Sequence, residues 1–250
     1  MAKKIVVVGA SGKMGSAVCK KFKNDYEIIC INKGDFWGDF GADLIVDFGT
    51  AESSVLSAEW AAKNKVPLIV GSTGQTIEQL EKIKQVQTIV PILICSNFSI
   101  GVVALKECIN KILKFSVSDI CIFEKHHKKK KDKPSGTALS LAEFIASKTD
   151  VSVQMLAERG GEEIGTHTLD FYLNNELIQI KHMAFSREVF ASGAKLAAEF
   201  MLEAKEIKQY YFEDVVKQKF GLNWCYFGLT NIELKCQNID RRKNYGKEKI

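Results

Sequence analysis

The pattern of the chain predicts an α/β protein. A doubly wound parallel sheet comes first, followed by a second α+β domain with a largely antiparallel sheet. Three observations carry this expectation. The run Ile5-Val6-Val7-Val8 ends in Gly9-Ala10-Ser11-Gly12-Lys13-Met14-Gly15, and a helical apolar period follows it. Strand and helix patterns then alternate to about residue 97, which implies parallel strands joined by helical crossovers. Beyond Gly101 the alternation gives way to helices and a hairpin signal.

The first strand is Lys4 to Val8, and Met14, Ala17, Val18, Cys19 and Phe22 mark the helix after the glycines. Strand, glycine loop and helix in that order are the context of a Rossmann-like dinucleotide site. The glycines let the backbone turn tightly and approach a pyrophosphate at the helix N-terminus. Gly9, Ala10, Ser11, Gly12, Lys13, Met14 and Gly15 are therefore expected to bind the cofactor. The second strand, Glu27 to Ile31, ends in Asn32-Lys33, where a NAD-preferring site places a carboxylate against the ribose 2′-hydroxyl. Asn32 and Lys33 favour tolerance of a 2′-phosphate, with Lys33 and Lys13 to pair with it. Asp35 undoes that inference if its loop folds back. Further strands are expected at Ala42 to Phe48, Pro67 to Val70 and Ile89 to Cys95, with helices at 51–63 and 76–85. The last two strands end in Gly71-Ser72-Thr73-Gly74 and Ser96-Asn97-Phe98-Ser99. Ligands of open parallel sheets bind at strand carboxyl ends, so Gly71, Ser72, Thr73, Ser96, Asn97 and Phe98 join the cofactor set.

After Gly101, Val102 to Phe115 has helical spacing, and Ser118 to Phe123 reads as a strand that delivers Glu124 and His126 to a basic loop. Residues 137–148 read as a helix. Thr168 to Leu173 and Leu177 to His182 alternate and are joined through Asn174-Asn175, a hairpin signal. A helical pattern returns over 193–206. Phe220 to Leu234 is apolar and aromatic, and Arg241 to Ile250 is polar and basic; neither carries recognisable chemistry.

Bulk properties narrow the function. At 250 residues, 46% hydrophobic and 26% charged, the chain has the make-up of a soluble globular protein with room for two cores. No apolar run reaches the roughly 18 residues of a membrane span, and no secretory leader is expected before the first strand. A cytoplasmic protein without membrane partners follows. The seven cysteines are scattered with no C-x-x-C pair, so reduced thiols are expected and no metal site. The net charge of +5 is local: residues 128–133 and 241–250 each carry +4, and the remainder nets −3. Two compact clusters suit a small anion and a solvated tail better than a nucleic-acid face.

The stretch Glu124 to Ala138 concentrates chemistry. It holds His126 and His127, a lysine run, and Ser135-Gly136-Thr137 at a helix start. Histidine exchanges protons near neutral pH, lysines fix positive charge, and the first amides of a helix favour anions. On composition alone a solvated basic loop is the commoner outcome.

The spacing Glu124-x-His126-His127-x-x-Lys130-x-Asp132-x-Pro134-Ser135-Gly136-Thr137-Ala138 resembles the dihydrodipicolinate reductase family, from residue 4 to about 216. Gly9-Ala10-x-Gly12-x-Met14-Gly15, Gly71-Ser72-Thr73-Gly74, Ser96-Asn97-Phe98-Ser99-x-Gly101, Gly165-x-His167 and Ser186-Arg187-x-x-Phe190-Ala191-x-Gly193-Ala194 support it. The resemblance implies NADPH or NADH as cofactor and hydride delivery to ring carbon C4 of a small cyclic dicarboxylate. It makes His126 the general acid and Lys130 its cationic partner. His127, Ser135, Gly136 and Thr137 would hold substrate carboxylates, and Arg187 would help close the site. It also implies a homotetramer assembled through second-domain sheets.

Residues 1–97 and 188–216 are thus expected to form the dinucleotide domain, and 98–187 the substrate-binding, catalytic and oligomerisation domain. Residues 217–250 are an extension of unknown role. The competing readings are another NADP-dependent oxidoreductase acting on a small anion, and a dinucleotide-sensing or nucleic-acid-binding protein whose lysine run contacts phosphates; a steep salt-dependent affinity for DNA or RNA would mark the latter.

Overall fold

The computed structural model describes residues 2–221. Among these residues ten strands form two sheets, accompanied by seven α-helices. The first half follows the expected alternation: β1 (Lys4–Val8), α1 (Lys13–Phe22), β2 (Glu27–Ile31), β3 (Leu44–Asp47), α2 (Ala51–Asn64), β4 (Leu68–Val70), α3 (Ile77–Gln85) and β5 (Ile92–Ile94). These strands are parallel, in the order β5-β4-β3-β1-β2. The core strands are shorter than their apolar runs suggest. Ala42, for example, lies before the pairing starts at Leu44.

Both faces of this sheet are covered, which is why its strands read as unbroken apolar runs. On one face Val18 and Phe22 of α1 pack with Ile5, Val7, Leu44 and Val46. On the other, Ala58, Trp60 and Ala61 of α2 and Ile83 of α3 pack with Val6, Ile45 and Leu68. Helices α2 and α3 begin at Thr50 and Thr76, each with a reciprocal capping box.

The chain then leaves the first sheet through α4 (Ile100–Ile112) and builds a second one from β6 (Asp119–His126), β7 (Val153–Arg159), β8 (Gly165–Leu173) and β9 (Glu176–Ala184). The order is β7-β6-β8-β9. β6 pairs antiparallel with β8 and β8 with β9, while β7 lies parallel to β6. The expected hairpin is present, and Asn175 takes the left-handed conformation its turn requires (φ 57°). One face of this sheet packs on α4 and α5 (Gly136–Ala146) through Ile109, Leu141 and Ile145 against Ile120, Ile122 and Phe171.

Helix α6 (Glu188–Glu203) begins five residues before the pattern suggested and carries the chain back to the first sheet. Its Ala194, Ala197, Ala198 and Met201 complete the first core. A two-residue strand, β10 (Gln209–Tyr210), adds to the sheet beside β5, and α7 (Phe212–Phe220) buries Phe212, Val215 and Val216. Strands β7 and β10 and helix α7 were not foreseen. The aromatic stretch beyond Gly221 and the basic residues 241–250 lie outside the described residues. Cys19, Cys30, Cys95, Cys108 and Cys121 are free thiols, with Cys30 and Cys108 exposed.

Candidate active site

The loops after β1, β2, β4 and β5 share one edge of the parallel sheet, so the cofactor residues expected from sequence come together there. Their glycines are sterically required. Gly9 has φ +74°, and a Cβ there would lie 2.6 Å from Gly49 Cα; a Cβ on Gly15 would lie 2.0 Å from Gly9 O. The loop is thereby drawn tight, with Gly12 N–H donating to Gly9 O at 2.9 Å. Gly12 is also the N-cap of α1, whose first turn carries no acidic residue. Its unpartnered amides make a cradle that fits a pyrophosphate. Ser11, Gly12 and Lys13 are exposed, Met14 half-buried, and Ala10 buried beneath them.

At the end of β2 the Asn32 side chain is already used: Oδ1 accepts from Ser11 N–H at 2.8 Å. The following loop does fold back. Asn32 N–H donates to Asp35 Oδ2 at 2.7 Å, and Asp35 N–H to Asn32 O at 3.1 Å. Lys33 is exposed. A carboxylate therefore stands where Asn32-Lys33 had suggested none.

Across the sheet, Phe48 covers Gly71, so that a Cβ on Gly71 would meet its ring at 2.4 Å. Ser72 is buried and Thr73 exposed. Ser96 is exposed and Asn97 half-buried, whereas the Phe98 ring belongs to the core between Phe48 and Phe212. Only the backbone of Phe98 is left to face a ligand. Asp47, which sequence reasoning passed over, ties the loop after β3 and helix α2 to the loop after β4. It accepts from Gly49 N–H at 2.9 Å and from the Ser57 and Ser53 hydroxyls at 2.5 and 3.1 Å. It also bonds Ser72, yet burial outweighs these donors and raises its pKa.

The second cluster lies on the inner face of the β6–β9 sheet. β6 runs three residues further than expected, and its alternation places Ile120, Ile122, Glu124 and His126 on one buried face. Glu124 bonds His126 Nδ1 through Oε2. Its Oε1 accepts from Arg159 Nη2 at 2.7 Å and from Ser135 N–H at 3.1 Å. Burial raises the Glu124 pKa, but Arg159 and His126 more than offset it and hold the carboxylate below its ordinary range. Burial lowers the His126 pKa, with Lys130 and Arg159 adding to that and Glu124 opposing it.

His167 and His182 extend this cluster. The His167 ring stands edge-on to His126 at 5.3 Å and stacks on His182 at 6.3 Å. His167 Nε2 meets Ser135 Oγ at 3.3 Å, and His182 Nε2 meets Ser99 Oγ at 3.2 Å. Burial pushes the His167 pKa down to about 3, so it is a neutral imidazole. Ser135 caps α5 through Ala138 N–H at 3.2 Å, which commits its hydroxyl to structure. Thr137 Oγ1 accepts from Asn97 Nδ2 at 2.9 Å, joining the helix start to the loop after β5.

The basic loop is mostly solvated. Lys128, Lys129, Lys131 and Lys133 are exposed, while Lys130 is half-buried and pairs with Asp132 at 2.8 Å. Asp132 also takes the Gly136 amide, so a carboxylate already sits at the start of α5. Arg187 is the N-cap of α6 and half-buried. Among the described residues, the buried side-chain atoms without a hydrogen-bond partner are His127 Nδ1, His167 Nδ1, His182 Nδ1 and Arg159 Nε. All four belong to residues of this cluster or its rim. Buried polar atoms are seldom left unpaired, and this concentration marks a place built for a polar ligand. Glu124, His126 and His167 also bring one ligand atom each within 4.8 Å of one another. The carboxylate oxygens there are already taken by Arg159, Ser135 and His126, which makes the group a hydrogen-bonded cluster.

A dinucleotide cradle facing a buried acid–base cluster with a helix start for an anion defines a nicotinamide-nucleotide-dependent oxidoreductase of two-sheet build. Comparison with known proteins narrows this. The family model "Dihydrodipicolinate reductase, N-terminus" matches residues 32–98, and "Dihydrodipicolinate reductase, C-terminus" matches residues 101–216. A 4-hydroxy-tetrahydrodipicolinate reductase of Thermosipho africanus is 38% identical over 217 residues, 86% of this chain and 98% of the relative. One of Caldanaerobacter subterraneus is 34% identical, over 86% and 98%. Among solved structures, a dipicolinate-bound dihydrodipicolinate reductase from Paenisporosarcina superposes with a TM-score of 0.70 at 20% identity, covering 86% of this chain and 99% of that one. The chain belongs to the dihydrodipicolinate reductase family.

Proposed function

We propose that this chain is a 4-hydroxy-tetrahydrodipicolinate reductase that uses NADPH or NADH, on the lysine-forming diaminopimelate route. The observation that carries the reading is the Glu124–His126 pair buried beside the Ser135–Thr137 helix start, which Asn97 links to the nucleotide loops. When bound, the reduced nicotinamide would supply the hydride that goes to ring carbon C4, from which the hydroxyl leaves as water. His126 then donates the proton the reduced substrate requires. The α5 amides, Lys130 and His127 hold the substrate carboxylates, with the orphaned Arg159 and histidine nitrogens as further donors. Ligand carboxylates take over the Gly136 amide and Lys130 from Asp132. A bound dianion also raises the His126 pKa, so the acid becomes competent as the site fills. Arg187, at the entrance to α6, helps close it.

Residues 1–97 and 188–216 form the nucleotide domain and 98–187 the substrate domain in this reading. The return of β10 to the first sheet supports it, as does the break between the two family models at residues 98–101. The enzyme works in the cytoplasm as a homotetramer. No described helix is long and apolar enough to cross a membrane, and the outer face of the second sheet exposes Phe123, Leu156, Tyr172, Leu177 and Met183.

The test is a spectrophotometric assay in which the aldolase that makes the unstable substrate generates it in place. Oxidation of NADPH or NADH is expected; no oxidation with either would reject the reading. His126→Gln should lose on the order of 10²-fold or more in kcat. Lys130→Ala should weaken substrate binding and turnover while leaving nucleotide affinity unchanged.

A further inference from the structure

We propose that Glu124 is the positioning residue of the proton donor. Its buried carboxylate, clamped by Arg159 and the Ser135 amide, fixes the His126 imidazole as an Nδ1–H donor and assigns the transferred proton to Nε2. The inference rests on the reductase reading given above.

Glu124 interrupts an apolar face. Ile120 and Ile122 precede it on the same side of β6, and its side chain is fully enclosed. A carboxylate in such a place costs several kcal/mol unless it is paired and hydrogen-bonded. Here every bond comes from a group of the site. One oxygen takes Arg159 and the Ser135 amide, the other takes His126. The register enforces this, because parallel pairing sets Arg159 beside His126, and antiparallel pairing sets His167 beside Glu124. Arg159 is itself anchored on Asp132 O at 2.5 Å, so the clamp reaches the loop that carries Lys130.

A carboxylate on one imidazole nitrogen determines the tautomer and the ring orientation. The other nitrogen of His126, Nε2, makes no hydrogen bond among the described residues. It lies where a Cβ on residue 165 would approach to 2.8 Å, so Gly165 leaves it room. In turnover the Nε2–H bond breaks, the proton goes to the reduced substrate, and the neutral ring keeps its Nδ1–H on Glu124. Solvent then restores the Nε2 proton. The groups that face this ring are Glu124 on its own strand, Arg159 on β7, His167 on β8, Lys130 in the following loop and Ser135 at the start of α5. Only Glu124 among them favours the imidazolium.

The experiment is the pH dependence of kcat for the wild-type enzyme, Glu124→Gln and Arg159→Gln, with the dissociation constant for the reduced nucleotide measured alongside. The acid must be protonated, so activity falls as pH rises through the His126 pKa. Glu124→Gln removes the anion and should move that fall to lower pH, with kcat down by about 10²-fold. Arg159→Gln removes a cation and should move it to higher pH. Nucleotide affinity should stay within about twofold in both, and Glu124→Asp should restore part of the lost profile. Structural damage alone would not move the two profiles in opposite directions. Unmoved profiles, or profiles that move the same way, would overturn the proposal. Titration of the His126 ring by NMR needs no turnover and reads the same shifts. It therefore decides the matter for a variant too weak to assay. A wild-type enzyme without reductase activity would instead refute the functional reading.

Discussion

At the level of single residues, the site depends on groups that are neutral or charged because of where they sit. His167 is enclosed among His126, His182 and Ser135, and its folded pKa is near 3 against an ordinary 6.5. A depressed histidine pKa means that the unfolded chain binds the proton more readily. The resulting stability is full above the unfolded pKa and is lost as pH falls toward the folded one. From this group alone the loss runs at about 1.4 kcal/mol per pH unit below pH 6.5. His126 and His182, also lowered, act in the same direction. Urea unfolding at pH 7, 6 and 5 should therefore show a shallower decline for His167→Gln than for the wild type. Parallel declines would mean that His167 is not held neutral. Asp35 bears on cofactor choice in a comparable way. Its carboxylate, held by the Asn32 amide, stands near the 2′ position of the adenosine ribose expected at the end of β2. Asp35→Ala should raise kcat/KM for NADPH relative to NADH by about tenfold, equivalent to removing roughly 1.4 kcal/mol of like-charge repulsion. An unchanged ratio would remove Asp35 from the nucleotide site.

Between elements, the nucleotide loops are held by helices that come from both ends of the chain. Helix α6 presses on the loop after β5 so closely that a Cβ on Gly193 would lie 1.8 Å from Phe98 O. Gly193→Ala must therefore push α6 and that loop apart. A loss of about 1–3 kcal/mol is expected, the usual scale of overpacking. Weaker nucleotide binding should accompany it because Asn97 moves with Phe98. Urea unfolding and a nucleotide titration would check both, and intact affinity would show that the loop is not part of the binding surface. Gly193 could be quoted from a motif, but its contact could not, because it joins residues almost a hundred apart. The same holds elsewhere. The parallel strands were legible because burial on both faces makes them continuous apolar runs. Strand β7, Val-Gln-Met-Leu-Ala-Glu-Arg, lacks a clean alternation, since its exposed side carries Gln154, Leu156 and Glu158, so its pattern was too weak to read. Arg159 was missed with it, since only the pairing of β7 with β6 brings it to Glu124. His182 was hidden for the same reason: its place beside His167 is set by hairpin register. Strand β10, with two residues, has no period at all. The lysine run was legible as charge, but charge does not say which lysine turns inward, and Lys130 could be picked only through the resemblance.

For the whole molecule, the second sheet turns different side chains to its two faces. The inner face carries Glu124, His126 and the core against α4 and α5; the outer face carries Phe123 and Lys125 on the same strand. Phe123 pairs with Leu156 on β7 and with Thr168 on β8, and Met183 and Leu177 continue the apolar surface on β9. Leu156 is 57% exposed and Leu177 50%, more apolar surface than an isolated sheet face usually leaves in water. A second copy of the same face is a suitable cover, since an isologous contact sets each patch against itself. Strand alternation then separates assembly from chemistry, because a change on the outer face does not alter which side chains β6 turns inward. Leu156→Glu would bury a carboxylate at each contact and should break the assembly. Light scattering after size exclusion should give the mass of four chains for the wild type and a smaller species for the variant. The urea transition of Leu156→Glu should become independent of protein concentration, as expected once subunit linkage is gone. Retention of the four-chain mass would place the interface elsewhere, and a wild-type mass of one chain would reject assembly altogether.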